Sequence, residues 1–109
     1  MYIEVNNNII SRNAELYTGF KKFIGLMFSR KLKDDEALIL NNSSDIHMMF
    51  VFQKIDVVWL NKGKIVIGKR ENVKPFEFLI RPEKTAFYVL ELPVGKAKLF
   101  KLKSRVNFG

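Results

Sequence analysis

The sequence contains no cysteine. Disulfide bonds, thiolate nucleophiles and cysteine-ligated zinc sites are therefore excluded. Histidine is almost as scarce, because His47 is the single one in the chain. A histidine-rich metal cage is excluded with it. We therefore expect neither a metal nor a cofactor.

Long apolar runs are also missing. The longest run covers only a handful of residues, whereas a membrane-spanning helix needs at least about 18. The first ten residues, MYIEVNNNII, lack the basic start and apolar stretch of a signal peptide. We therefore predict no membrane span and a cytoplasmic protein.

Proline and glycine are few, at 3 and 6 of 109 residues, and no repeat or linker divides the chain. A chain of this length corresponds to one domain, residues 1–109. Hydrophobic residues make up 48% and include ten phenylalanines, which is a globular composition. We expect a monomer or a weak homodimer.

Short apolar runs separated by turn residues predict about seven or eight strands. The predicted strands cover residues 2–5, 14–17, 36–40, 47–52, 55–60, 64–70, 85–92 and 104–108. Short helices are predicted over 19–28, where apolar side chains form one stripe, and over 94–100. Because neighbouring strands follow one another through short turns, antiparallel pairing should dominate. We predict a mainly β fold (α+β by strict count), a compact barrel-like or two-layer antiparallel sheet with two short helices.

Two carboxylates interrupt strongly apolar strands. Asp56 lies in IDVVWL at 55–60, and Glu91 lies in YVLEL at 88–92. A carboxylate in such surroundings must be paired, hydrogen-bonded or protonated. His47 opens the preceding predicted strand. A hairpin centred between 53 and 54 would hold it away from Asp56, and a single bent strand over 47–60 would separate the two residues further. We therefore expect no direct contact between His47 and Asp56.

Two interpretations of these residues stay open. In the first, Asp56, Glu91 and His47 line a polar site for ligand binding or proton transfer. In the second, each acid binds backbone amides or pairs with a basic residue. We expect Asp56 to meet Glu91, Arg30 or Lys31, and these five residues form the candidate polar site.

The net charge is +8, and the excess is clustered. Five basic residues and no acid lie between Lys21 and Lys33, and five more follow Glu91 without an acid. Such clusters attract anionic ligands or nucleic acid, although they are also common on well-solvated surfaces.

Catalytic motifs are absent. Gly95-Lys96 lacks the upstream glycine of a phosphate-binding loop, and no serine lies in a nucleophile elbow. We therefore predict a ligand- or partner-binding accessory module. The alternatives are a nucleic-acid-binding protein that uses the basic clusters and a hydrolase that uses Asp56 and Glu91. The predicted core contains seven residues: Leu26, Met27, Phe50, Val57, Trp59, Val89 and Leu90.

Five blocks together resemble the uncharacterised family called "domain of unknown function 192". They are GLMF at 25–28, DDEALIL at 34–40, IH at 46–47, IDVVWL at 55–60 and YVLELPVG at 88–95. The resemblance covers about residues 14–108. It implies a small β-rich fold with short helices and no known activity. Many bacterial members look exported or membrane-tethered, so the resemblance implies a bare cytoplasmic form for a sequence that opens without a leader.

The resemblance also marks recurrent positions. They are Gly25, Leu26, Met27, His47, Asp56, Glu91, Leu92, Pro93 and Gly95. The chain departs from the family pattern twice, with Ser29 where arginine usually follows GLMF, and with Phe52-Gln53-Lys54 where a basic residue and Phe-Pro usually stand. If those basic residues bind an anion or neutralise Asp56, that role is shifted or lost in this chain.

Overall fold

The computed structural model describes residues 1–19, 21–27 and 29–109. Its strands are β1 (Ile3–Val5), β2 (Asn8–Ser11), β3 (Asn13–Tyr17), β4 (Glu36–Asn41), β5 (Ile55–Leu60), β6 (Val66–Val73), β7 (Tyr88–Leu92) and β8 (Val106–Phe108). A single helical turn, α1 (Lys21–Ile24), follows β3, and a 3-10 turn (Ala97–Leu99) follows β7. One sheet has the strand order β3-β4-β7-β5-β6, and the other has the order β2-β1-β8.

Both faces of the five-stranded sheet are buried. Its first face packs against the three-stranded sheet and the 3-10 turn, through a core that includes Ile3, Leu90 and Phe100. Its second face is covered by irregular segments that contribute Leu26 and Met48. Because both faces of the sheet are covered, all six residues of β5 are buried. Strands of this kind have near-continuous apolar sequences, as β5 has.

The predicted mainly β fold is confirmed, and so is the two-layer alternative. The barrel-like alternative is wrong, because both sheets in the described part of the chain have open ends in their strand order. Antiparallel pairs dominate, but β3 and β4 pair in parallel, with Ala14 opposite Ala37. Residues 18–35 make this possible, because a parallel pair needs a crossover connection of a dozen or more residues.

The predicted strand 47–52 does not form. One isolated bridge, between Ile46 and Ile80, precedes the segment, and Met48 makes backbone hydrogen bonds to residues 76 and 77. The chain then turns, with the Val51 amide donating to the Met48 carbonyl. Phe50 has a φ of 59°, which a strand cannot accommodate. The segment packs on the second face of the large sheet as a turn, so 47–52 and 55–60 form neither a hairpin nor one bent strand.

The two predicted helices are largely absent as well. The first reduces to α1, because the chain enters the left-handed region at Gly25, with a φ of 50°, and this ends a helix. The apolar stripe predicted there includes Phe20, which lies outside the described residues. The second reduces to the 3-10 turn at 97–99.

A strand that the sequence reasoning missed begins straight after the first turn. Asn6 and Asn7 both have positive φ, at 50° and 66°, and link β1 to β2 as a two-residue hairpin. Asparagine tolerates this conformation, so the turn suits the right-handed twist of the strands. The strand predicted over 85–92 is shorter than expected, because β7 begins at Tyr88 and not at Thr85.

Most of the predicted core is confirmed. Leu26, Val57, Trp59, Val89 and Leu90 are all at most 4% exposed.

Two members of the predicted core differ from the expectation. Met27 is only partly buried, and Phe50 is 44% exposed, because Phe50 lies in the turn that replaces the predicted strand. No helix in the described ranges is long and apolar enough to cross a membrane.

Candidate functional site

Asp56 binds backbone amides. Its side chain is fully buried on the first face of the large sheet. Oδ1 accepts a hydrogen bond from the Asn72 amide at 3.0 Å, and Oδ2 accepts from the amides of Gly95 and Ala97, both at 2.9 Å. The carboxylate therefore ties β5 to β6 and to the turn after β7, which is the structural role left open by the sequence.

The expected partners of Asp56 lie elsewhere. Asp56 is opposite Leu92 in the ladder, whereas Glu91 is opposite Val57, one residue along. Successive side chains of a strand point to opposite faces, so the two carboxylates lie on opposite faces of the sheet. A paired-carboxylate hydrolase site cannot form from them.

Arg30 pairs with Glu36 instead. Its two terminal nitrogens donate to the Glu36 carboxylate at 2.8 and 2.6 Å. This bidentate contact, with the Lys33 amide, lowers the pKa of Glu36 to about 2. Lys31 lines a different, open pocket, together with Phe52 and Gln53. Neither basic side chain is among the hydrogen-bond partners of Asp56, which are backbone amides.

Gln53, which the sequence marked only as a departure from the family pattern, holds this region in place. Its side chain is 9% exposed, accepts from the Leu32 amide at 2.8 Å and donates to the Arg30 carbonyl at 3.0 Å. Gln53 therefore fixes the segment 30–32 through main-chain contacts.

Glu91 and His47 do come together. Both line a pocket of about 250 Å³ on the second face of the large sheet. The other lining residues are Lys22, Gly25, Leu26, Leu40, Asn42, Ser43, Ser44, Asp45 and Ile46. Four recurrent positions of the resemblance, Gly25, Leu26, His47 and Glu91, therefore share one concave surface.

Glu91 is the buried ionisable group of this pocket. Its side chain is 4% exposed, and no donor in the described part of the chain reaches Oε1. Desolvation by burial raises its pKa to about 7. The carboxyl group is therefore divided between its neutral and charged forms near neutral pH.

Gly25 packs close to this carboxyl group. Its φ is 50°, which favours glycine, and a Cβ atom there would lie 3.4 Å from Glu91 Oε1. Any larger side chain would stand over the unpartnered oxygen. The positive φ and the limited space beside Glu91 therefore both favour glycine at this position.

Several other polar groups of the pocket have protein partners. The Lys22 ammonium donates to the Asn42 carbonyl at 3.4 Å, and Asp45 pairs with Arg81 at 3.2 Å. Nδ1 of His47 accepts from the Met49 amide at 3.1 Å. In neutral His47 the proton is therefore assigned to Nε2. No group of three metal-ligating side chains occurs within the described ranges.

Several pocket residues were missed by the sequence reasoning. Asn42, Ser43, Ser44 and Asp45 were interpreted only as a loop, and the structure folds that loop over Glu91. The Trp59 indole donates to the Ser44 carbonyl at 2.7 Å and holds the loop there. A polar loop after an apolar strand is too common a pattern to reveal which side chain it covers.

A comparison of the whole sequence with known families identifies the relationship. The DUF192 family, described as "Uncharacterized ACR", matches residues 3–107. The chain belongs to the DUF192 family. The resemblance inferred from the five sequence blocks is thereby confirmed, and this family has no established activity to transfer.

Curated relatives of the DUF192 chain are UPF0127 proteins. One from Thermococcus sibiricus is 34% identical over 82 residues, which is 72% of this chain and 52% of the relative. One from Thermococcus kodakarensis is 33% identical over 82 residues, which is 72% of this chain and 51% of the relative. The chain thus spans about half the length of these relatives.

Two solved structures share the fold. A protein of unknown function from Novosphingobium aromaticivorans has a TM-score of 0.85 at 20% identity, covering 98% of this chain and 84% of its own. A Sinorhizobium meliloti protein, provisionally described as a transcription regulator, has a TM-score of 0.82 at 19% identity, covering 97% and 91%. At these identities the likeness shows the fold alone.

Proposed function

We propose that the protein is a small-molecule-binding module whose ligand occupies the pocket around Glu91. The observation that carries the proposal is the buried Oε1 of Glu91, which no donor within the described ranges reaches. A buried polar atom without a partner costs about 1–3 kcal/mol, and native proteins keep few of them. A ligand that donates a hydrogen bond to Oε1 removes this cost.

The shape of the pocket supports a small ligand. Its volume of about 250 Å³ lies just below the range of about 300–1,000 Å³ that is typical of drug-sized ligands. Leu26, Leu40 and Ile46 supply apolar walls, while His47 and Ser44 supply polar groups. Apolar walls with a few polar groups are typical of ligand sites.

The two alternatives from the sequence have less support. The hydrolase hypothesis needs Asp56 beside Glu91, and they lie on opposite faces of the sheet. The nucleic-acid hypothesis needs one continuous basic surface, but Leu26 and Leu32 anchor the first basic cluster to the second face. Ala97 and Val106 anchor the other cluster to the first face.

A thermal-shift screen of small polar compounds tests the proposal. A ligand that binds only the folded protein raises its melting temperature by mass action. We expect hits that shift the wild type and lose most of their effect in Glu91→Gln, which keeps the shape but removes the charge. The matched control is Glu71→Gln, which changes an exposed glutamate of β6.

The two variants together decide the outcome. Compounds that shift the wild type and Glu71→Gln, but not Glu91→Gln, support the pocket. Compounds that shift all three proteins equally bind elsewhere, and that result contradicts the proposal. A broad screen without any hit contradicts it too.

A further inference from the structure

The position of Glu91 in the sheet isolates its carboxyl group from water. β7 lies between β4 and β5, and Glu91 is opposite Leu38 on one side and Val57 on the other. Neither neighbour can donate a side-chain hydrogen bond. The carboxyl group therefore depends on whatever enters the pocket above it.

The basic groups that line the pocket do not neutralise it. Lys22 binds the Asn42 carbonyl, and Nδ1 of His47 is occupied by the Met49 amide. No ion pair of Glu91 occurs in the part of the chain that the structure describes, where Arg30 and Arg81 are engaged with Glu36 and Asp45. A donor for Oε1 must therefore come from outside the described residues.

A cationic donor suits this carboxyl group better than a neutral one. A hydroxyl group would supply a hydrogen bond but would leave a buried negative charge uncompensated, which is costly. An ammonium group supplies the bond and the compensating charge, and such charge-assisted bonds are about twice as strong as neutral ones. Beside it, the apolar side chains of Leu26, Leu40 and Ile46 can receive a short carbon chain.

On this basis we infer that the pocket takes a small protonated amine, whose ammonium group lies against Oε1 of Glu91 and whose carbon chain packs on the apolar walls. The inference rests on the proposed function and names the chemical class of its ligand. It fits a ligand of few atoms, because the pocket holds about 250 Å³.

Binding of an amine should depend on pH through Glu91, because only the ionised form attracts the cation. With the pKa of Glu91 near 7, about one tenth of the protein is competent at pH 6 and most of it at pH 8. Affinity should therefore rise about tenfold between pH 6 and pH 8. A neutral ligand would show no such rise.

Other charged and titratable groups lie around Glu91, and their contribution to the pH dependence of binding must be distinguished from that of Glu91. Those on the strands are Glu15, Tyr17 and Glu36; those on the covering segments are Lys22, Arg30, Asp45 and His47. Burial, with the charges of Glu15 and Glu91, raises the pKa of Tyr17, so Tyr17 stays neutral between pH 6 and 8. The variant His47→Asn removes the imidazole and keeps an oxygen near the position of Nδ1.

The experiment uses three probes of matched size, n-propylammonium, 1-propanol and propionate, with amide chemical shifts of the full-length ¹⁵N-labelled protein as the readout. We expect propylammonium to shift the amides of Gly25, Leu26 and His47, with weak shifts from the other two probes. The shifts should saturate at about tenfold lower amine concentration at pH 8 than at pH 6. Glu91→Gln should lose the amine response. In His47→Asn the amine affinity should still rise with pH, whatever the lost imidazole does to its absolute value.

The outcomes distinguish the inference from the proposed function. Stronger binding of 1-propanol or propionate at these amides, or amine binding without the pH dependence, overturns the inference. If the thermal-shift screen finds a ligand of another chemical class that depends on Glu91, the proposed binding function is supported and only the amine inference is contradicted. If no compound perturbs these amides, both are contradicted. The pH comparison uses wild-type protein, so it holds even where Glu91→Gln folds poorly.

Discussion

Asp56 and Glu91 are both buried carboxylates, and what separates them is the supply of hydrogen-bond donors. Asp56 receives three backbone amides, whereas Oε1 of Glu91 receives none in the described part of the chain. A carboxylate with three such bonds stabilises the fold locally, while one without them carries the cost of burial. The two residues therefore give opposite predictions.

Asp56→Ala should destabilise the protein by about 3 kcal/mol or more. Hydrogen bonds to a charged group contribute about 1.5–3 kcal/mol, and the substitution leaves three amides in need of new partners. Urea denaturation measures the free energy of unfolding. The control is Asp34→Ala, which removes an exposed ion pair with Lys96 and should cost less than about 1 kcal/mol. Equal effects of the two variants would contradict the structural role of Asp56.

Glu91 should make the protein less stable as the pH rises. Its folded pKa, about 7, lies above the ordinary value of 4.5, so folding takes up a proton between these two values. Stability contributed by the neutral acid is complete below pH 4.5 and is lost as the pH rises to about 7, by roughly 3 kcal/mol in total. Glu91→Gln cannot ionise and should escape this loss.

Chemical denaturation of wild type and Glu91→Gln between pH 5 and pH 8 measures the difference. The variant should resemble the wild type near pH 5 and exceed its stability by about 1–3 kcal/mol at pH 8. Glu71→Gln should follow the wild-type curve. A difference that is constant over this range would show that burial does not perturb the ionisation of Glu91.

At the scale of elements, β5 connects the core to the pocket. Trp59 is 2% exposed, and its indole holds the Ser44 carbonyl of the pocket loop at 2.7 Å. The loop 42–47 has little regular structure of its own, so its position depends on such contacts. The shape of the pocket therefore depends on the hydrogen bond between Trp59 of β5 and the Ser44 carbonyl.

Trp59→Ala should cost about 3–5 kcal/mol, because it removes a large buried ring and leaves a cavity. Trp59→Phe retains most of the apolar contact but leaves the Ser44 carbonyl without its donor, and should cost about 1–3 kcal/mol. Denaturant unfolding of the two variants separates packing from hydrogen bonding. A loss below about 1 kcal/mol for Trp59→Ala would contradict its placement in the core.

At the scale of the whole molecule, the two basic clusters of the sequence are anchored on different faces of the large sheet, although Lys96 reaches Asp34, beside Lys33. The cluster around Lys21–Lys33 lies with the segments on the second face of the large sheet, and the cluster at 96–105 lies with the 3-10 turn and β8 on the first. Some of this charge is also paired, as in Arg30–Glu36 and Lys96–Asp34. A divided surface favours diffuse attraction over a specific nucleic-acid site.

Single-stranded RNA should therefore bind weakly, with a dissociation constant above about 1 µM at 150 mM salt and a steep loss of affinity as salt rises. Fluorescence anisotropy with two RNAs of different sequence measures both properties. Submicromolar binding that prefers one sequence at this salt concentration would instead support the nucleic-acid hypothesis.

The sequence by itself determined the β-rich class, the core strands β5 and β7 and the family. Alternation and apolar runs carry this information locally, since strand periodicity and turn residues act within a few positions. Local patterns misled where tertiary contacts were decisive. Residues 47–52 have the composition of a strand, yet their backbone pairing with residues 76 and 77 ends at Met48, and the chain then turns and exposes Phe50.

Only the tertiary structure decided what the two acids do. Both faces of β5 and β7 are apolar, so periodicity could not assign Asp56 and Glu91 to opposite sides of the sheet. The amides that bind Asp56 come from residues 72, 95 and 97, and the pocket over Glu91 joins segments near 25 and 45. Contacts between positions so far apart depend on sheet order and register, which no local pattern of residues contains.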